Sequence, residues 1–355
     1  MLAHLLKAYK QVEALLLLAV NAIRKRVFSP LGGDESHRDG VVYSPDHTQL
    51  HRSPIVAVAS NKFPEWIRRP WPSGESFIEV KELLDGLNLK TVCQSAHCPN
   101  QAECWGERTA TFMVLGNVCT RHCTYCAVNS GKPGAADPEE PEHVAEAVRR
   151  LGLKHAVLTS VTRDDLPDGG AQHIGDTIRA IRRVNPGTTI EALVQDFNGE
   201  SAALDAVIDA GPEIFSHNIE TVRPMHAKLR DRRFTYDGAL EVLRYAVDKR
   251  GGFGFVKSAI MLGCGETETD VRDTLRDLRA TGCHAVSIGQ YLQPTLKHAD
   301  VQQYITPEAF AAHEAAALEM GFLFAVAGTF VRSSYKSEAL LQSPAAAGRL
   351  TGWSK

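Results

Sequence analysis

The chain has 355 residues, 44% of them apolar, with 39 basic against 42 acidic side chains and a formal charge of -3. That is enough chain for one large core of α/β-barrel size with smaller attachments. The near balance of charge, with a pI near 6.5, supplies no broad positive field for a polyanion, so no nucleic-acid partner is expected.

The first candidate element is a helix over Leu5 to Ile23. Its apolar run, Leu15 to Val20, is bracketed by Lys7, Lys10, Glu13 and Arg24-Lys25-Arg26, whereas a membrane-spanning helix needs about 20 apolar residues. It reads as an amphipathic appendage, so no membrane partner is expected; a basic, acid-poor organelle transit peptide is the second reading. The expected location is the cytoplasm, with the mitochondrial matrix as the alternative. Residues 29 to 60 are rich in Ser, Gly, Asp and His without apolar periodicity, which marks a flexible arm.

Six of the eight cysteines then fall between Cys93 and Cys126 in two tight groups. Nothing ahead of them is a convincing secretory signal, and clustered thiols in a reduced compartment bind metal rather than one another. From Thr111 on, short apolar runs alternate with helical patterns. The strand candidates are 111–116, 155–161, 189–194, 214–220, 255–263 and 284–292; helices are expected over 142–151, 176–184, 238–249 and 268–281. Such βα repeats build either an open doubly wound sheet or a barrel. Thr159-Ser160, His217-Asn218-Glu220, Lys257-Ser258 and Gln290-Tyr291 fall late in their strands, where a barrel gathers its active site. No dinucleotide glycine fingerprint opens a helix. The expected fold is a partial (β/α)6 barrel of the TIM type, with N- and C-terminal extensions over its mouth. A final run, Gly321 to Tyr335, supplies the polar tail of the second extension. Divided by these features, the chain is an N-terminal helix and arm (1–60), a cysteine-bearing extension (61–104), a barrel core (105–323) and a C-terminal segment (324–355).

Cys119, Cys123 and Cys126 form C-x3-C-x2-C just after the first barrel strand. Clusters that only carry electrons normally have four cysteine ligands. Three thiols and no fourth leave one iron open, and an open metal position is where a substrate binds. The segment resembles the radical S-adenosylmethionine (SAM) superfamily, including Tyr125 directly before the third cysteine. The resemblance implies a 4Fe-4S cluster that binds and reductively cleaves SAM. The competing reading is a zinc knuckle with His122 as fourth ligand, although zinc sites pair two short hooks far apart.

Cys93, Cys98 and Cys104 form C-x4-C-x5-C, again three thiols without a nearby fourth. CPNQAECW, ATFMVLGNVCTRHC, LTSVTRDDLPDGGA, HNIETV, IGQYLQP and VRSSY resemble, in order, the signatures of the lipoyl synthase family, over about residues 63 to 337. The resemblance implies a second, auxiliary 4Fe-4S cluster on Cys93, Cys98 and Cys104, completed by a serine of Arg332-Ser333-Ser334-Tyr335, for which Ser334 is chosen over Ser333. A hydroxyl is a harder, poorer donor to such iron than a thiolate, so this corner would open as sulfide is given up. The catalytic set is thus Cys119, Cys123, Cys126 and Ser334, with Tyr125, Ser160, Glu191 and Asn218 as SAM contacts among the polar residues at the mouth. Arg163, Asp165, Glu220 and Gln290 are weaker candidates for the mouth, and Asp164, Asp165 and Asp168 lack calcium-loop spacing. The implied reaction is insertion of two sulfurs, at carbons 6 and 8, into an octanoyl-lysine. Its carriers would be lipoyl domains of 2-oxoacid dehydrogenase complexes and of the glycine cleavage system. Ferredoxin or flavodoxin would supply electrons, and an iron-sulfur carrier would rebuild the cluster. Two departures from the family pattern, Glu107-Arg108 and the KSAIMLGCGE segment, remove no ligand. A biotin synthase-like enzyme and a non-catalytic iron-sulfur carrier are the rival readings. Cys264 and Cys283, in apolar surroundings, are expected as buried thiols.

Overall fold

A computed structural model describes residues 63–68 and 74–350; the N-terminal helix and arm read from the sequence lie outside them. Seven runs rich in apolar and β-branched residues form one sheet: β1 (Thr111–Val114), β2 (His155–Ser160), β3 (Thr189–Leu193), β4 (Ile214–Ser216), β5 (Phe255–Leu262), β6 (Ala285–Gln290) and β7 (Phe324–Gly328). Neighbouring strands pair in parallel and in sequence order, β1 to β7. Every right-handed crossover therefore steps the same way, which puts the helices on one face and curls the sheet into a barrel. A doubly wound sheet would reverse its order midway. The sheet ends at β1 and β7, so the barrel is partial. The six expected strands are all present, and the seventh comes from the run expected only as a tail.

Three helices precede the barrel: α1 (Glu75–Gly86), α2 (Val92–Ser95) and α3 (Gln101–Gly106). The crossovers carry α4 (Glu140–Leu151), α5 (Ala171–Val184), α6 (Ser201–Ile208), α7 (Arg223–Leu229), α8 (Tyr236–Arg250), α9 (Glu268–Ala280) and α10 (Pro307–Glu319), and α11 (Glu338–Leu341) ends the described chain. Among the described residues no helix is long and apolar enough to cross a membrane.

The extensions take a different place from the one expected. Thr91 forms an antiparallel bridge with Phe112, and the Met113 amide donates to Lys90 O at 2.9 Å, so the chain before α2 covers the free edge of β1. It then runs toward the first residue of β1, the N-terminal end of the barrel. The C-terminal segment goes to that end too. Leu340 and Ala346 pack against Ile214, Phe255 and Ala285, the first residues of β4, β5 and β6. Its turn back from β7 runs close to β6, where a Cβ on Gly289 would meet Val331 O at 2.1 Å. Both extensions thus close the base of the barrel rather than its mouth. The cause is the apolar surface at the strand starts, which would otherwise face water.

Candidate active site at two ends of a barrel

At the mouth, Cys119, Cys123 and Cys126 lie on a loop pinched at its neck, where Val118–Cys119 pairs in parallel with Asn129–Ser130. Arg121, fully buried, ties this loop to the core. Its guanidinium holds Asp164 (2.8 Å), Asp196 (2.9 Å) and Asn198 (2.6 Å) and stacks on the Phe234 ring at 4.0 Å. Those partners come from the loops after β2 and β3. Asp231 and Arg233, beyond α7, extend the network: Asp231 accepts from the His122 amide at 2.9 Å, and Arg233 binds Asp164 at 3.0 Å. Asp164 therefore serves as a salt-bridge hub. Asp165 pairs with Arg163, and Asp168 accepts amides at the start of α5.

Backbone amides also point at the sulfurs. Arg121 N lies 3.4 Å from Cys119 Sγ, and Asp231 N lies 3.3 Å from Cys123 Sγ. Burial pushes the Cys126 thiol up to about 12, so its thiolate exists only beside a compensating cation. Three soft, partly buried, disulfide-free donors with amides aimed at them fit one corner-sharing iron-sulfur cluster. His122 is exposed, with Nδ1 3.2 Å from Ser130 Oγ.

Above this loop the mouth holds polar atoms without partners. Ser160 Oγ and Asn218 Oδ1, both expected as SAM contacts, are buried and make no hydrogen bond; Asn218 Nδ2 donates to Glu220 at 3.1 Å. Tyr125 is packed with Leu229, Cys264 and Tyr291 near the cluster loop, and burial raises its phenol well above the ordinary value. Two further groups join them: His217, which the sequence placed late in its strand without a role, and Arg230, which sequence reasoning passed over. His217 donates through Nδ1 to Val194 O at 2.9 Å, leaving Nε2 buried and unpartnered. Burial and the Arg230 charge lower its pKa to about 4, so Nε2 is a neutral acceptor. Arg230 donates to Asn218 O at 3.1 Å, stacks on Phe234, and keeps Nε unpartnered beside Glu220 and Cys123. Its position in the basic run KLRDRRF gave no hint of burial. Glu220 itself has φ 69°, an uncommon conformation for a residue with a side chain. Arg163 and Gln290 are consumed in loop hydrogen bonding.

Glu191 is not at the mouth. It lies inside the lower barrel, fully buried, with Oε1 2.6 Å from Lys257 Nζ and accepting from Ser216 Oγ at 2.7 Å. Burial opposes its ionisation, but Lys257 and His155 hold the carboxyl down at about 2. As the third residue of β3 it precedes the strand end by two positions, and that is why it cannot reach the mouth.

The second thiol group lies at the base. Cys93 sits on α2 and Cys104 on α3, with Cys98 between them. The amide of Thr111, the first residue of β1, donates to the Cys93 sulfur, and Cys104 feels both Cys93 and Cys98. Burial pushes Cys93 up to about 11 and Cys104 to about 12. The RSSY segment is beside them: Thr111 Oγ1 donates to Ser334 Oγ at 3.2 Å, Asn100 Nδ2 to Phe330 O at 2.7 Å, and Tyr335 OH to Glu103 at 2.8 Å. Among the described residues Ser333 Oγ makes no hydrogen bond, while its carbonyl accepts from Lys257 Nζ at 2.6 Å. This donor set also fits a cluster. The four residues of β1, roughly 10 Å from first to last at strand rise, lie between the two groups. Cys264 and Cys283 are buried as expected, Cys283 against Val256 O and Ala285 O.

A family model described as the radical SAM superfamily matches residues 113–278. Curated relatives named lipoyl synthase align over most of the chain. That of Flavobacterium johnsoniae is 50% identical, covering 78% of this chain and 94% of its own length. That of Chlorobaculum parvum is 51% identical with the same coverage of each. That of Thermus thermophilus is 48% identical over 78% of this chain and 85% of its own length. Among solved structures, the hydrogenase maturase HydG shares the fold, with a TM-score of 0.50 at 16% identity, covering 70% of this chain and 62% of its own.

Proposed function

The chain belongs to the lipoyl synthase family of radical SAM enzymes, and from that premise we propose that it builds lipoyl-lysine by inserting sulfur at carbons 6 and 8 of an octanoyl-lysine held inside the barrel. The observation that carries this reading is the placement of two three-thiol groups at opposite ends of one strand, β1. Cys119, Cys123 and Cys126 would hold the SAM-cleaving cluster, and Cys93, Cys98 and Cys104 the auxiliary one. Bound there, the first would pass an electron to SAM, whose cleavage gives the 5′-deoxyadenosyl radical that removes hydrogen from unactivated carbons, and the second would supply the sulfide that replaces it, its irons taking up the surplus electron.

The chain's own residues do the rest. Arg121 and its carboxylates hold the mouth loop to the sheet. Ser160, Asn218 and the neutral His217 present unpartnered polar atoms to the amino acid and ribose of SAM, and Arg230 presents a buried cation to its carboxylate. Tyr125 packs the wall beside them. An octanoyl chain is long and apolar, so it enters from the mouth and lies along the lumen toward the base, where the extensions keep out water. The fourth ligand of the auxiliary cluster comes from RSSY. Ser334 lies beside Thr111, whose amide meets the Cys93 sulfur, and its Oγ only accepts from Thr111 Oγ1 at 3.2 Å, which leaves it a lone pair; we assign the ligand to Ser334. The carriers are lipoyl domains of the 2-oxoacid dehydrogenase and glycine cleavage systems, and the reductant is a ferredoxin or flavodoxin.

Anaerobically reconstituted protein, dithionite, SAM and an octanoylated lipoyl-domain peptide test the reading by mass. The expected product carries two added sulfurs. Formation of 5′-deoxyadenosine without any sulfur on the peptide would overturn it.

A further inference from the structure

The lower barrel contains a buried ion pair that the radical chemistry does not use. Lys257 reaches from β5 and Glu191 from β3, with Ser216 of β4 between them, and both charged side chains are all but inaccessible. Buried pairs of this kind rarely stabilise a fold more than apolar side chains of the same size would. A leucine at 257 could fill the space. It could not donate to the carbonyl of Ser333, which the Lys257 ammonium does at 2.6 Å.

That bond falls on the turn that carries the chain from β7 back to the base. Between β7 and α11 there is no helix or strand; Val331 N donates to Gly328 O and Tyr335 N to Arg332 O, while the Ser333 carbonyl finds its partner in Lys257. Asn100 holds Phe330 O on one side of RSSY, and His155 Nε2 meets Ser337 Oγ at 3.0 Å on the other. Within RSSY, Thr111 meets the Ser334 hydroxyl and Glu103 the Tyr335 hydroxyl, and Lys257 is the charged tether on the Ser333 carbonyl, with Glu191 fixing the direction in which its ammonium points. We propose that the Lys257–Glu191 pair is a clamp that positions the serine ligand of the auxiliary cluster, which makes both residues positioning residues for sulfur delivery. The inference rests on the reading of RSSY as the source of that ligand.

The test uses the full chain and two readouts. The single variant Lys257→Met strands a buried carboxylate and is expected to lose the fold. The double variant Lys257→Met/Glu191→Gln removes both charges, keeps an acceptor for Ser216, and is expected to melt close to the parent. In that double variant, amide hydrogen exchange over residues 330–337 should quicken by at least about tenfold, the loss of roughly one charged hydrogen bond. Exchange over 119–126 and 5′-deoxyadenosine formation should stay at parent levels. After reconstitution, an iron chelator should strip the auxiliary cluster faster by a similar factor. Unchanged exchange over 330–337 overturns the clamp. Quickened exchange with unchanged iron release overturns its role toward the cluster. The serine reading is judged separately, by Ser333→Ala/Ser334→Ala with Lys257 intact: parent rates of iron release there remove the ligand and leave the exchange result standing as a measure of the clamp alone.

Discussion

The two ends of the barrel hold three thiols each, yet they are built in opposite ways. The mouth loop is local: its three cysteines span eight positions, and the residues that brace it, Arg121, Asp164, Asp196 and Asp231, belong to the loops of the barrel core. The base is assembled from segments more than two hundred residues apart, with Cys93, Cys98 and Cys104 before the barrel and RSSY after it, meeting at the first residue of β1. An end braced by buried ion pairs from the core is made to persist. An end closed by two appended segments, one of them offering oxygen where its neighbours offer sulfur, is made to be opened.

Removing thiols breaks the comparison most completely. Replacing Cys119, Cys123 and Cys126 by Ala should halve the iron from about eight to about four per chain and abolish 5′-deoxyadenosine. Replacing Cys93, Cys98 and Cys104 should halve the iron equally but leave SAM cleavage in place. Iron analysis and product chromatography on the same samples check both. Loss of SAM cleavage in the second variant would mean that the two ends are not separable.

The next largest effect is at Arg121. Arg121→Met strands Asp196 and leaves Asp164 to Arg233 alone, a loss of about 3–5 kcal/mol for a broken buried pair. Chemical denaturation should report it, and the mouth cluster should be lost while the base cluster remains. At the base the corresponding change is milder: Ser334→Ala should keep SAM cleavage and lose lipoyl product, while Ser333→Ala should keep both. The reverse pattern would move the ligand to Ser333.

The asymmetry also explains what could be read from sequence. The thiol spacing of both groups and six strand cores were legible because each is a local pattern. The seventh strand was obscured by its length, five residues of FAVAG inside a longer apolar run. The start of α5 was obscured by Gly175, tolerated mid-helix because a Cβ there would meet Ala206 O at 2.7 Å. Which end of the barrel the extensions cover was not legible at all. It depends on contacts such as Leu340 with Ile214 and Phe255, between residues that no local period connects. Glu191 was misjudged for a related reason. A polar residue in a strand points to the mouth only if it sits in the last position or two, and the strand's end was not known to the residue.

The smallest expected effect separates the ends by pH. His217 at the mouth, His226 on α7 and His284 at the base all have their pKa lowered to about 4, first by burial and then by nearby arginines. The unfolded chain takes up these protons near the ordinary histidine value of 6.5 while the folded chain refuses them. Stability is therefore complete above pH 6.5 and declines as pH falls toward 4, by about 1.4 kcal/mol per pH unit for each histidine. The depressed carboxyls of Asp164 and Asp231 lie below this window, since what they contribute is lost only below about 3.8, whereas Glu191, held down at about 2 from an ordinary 4.5, adds to the slope at its acid end. Urea unfolding between pH 7 and 4.5 measures the slope. His217→Asn should remove at most about a third of it, since burial depresses His313 too, and His284→Asn should remove a similar share. If His217→Asn leaves the slope intact, the imidazole at the mouth is already protonated in the folded chain, and its Nε2 is a donor rather than the acceptor assigned to it.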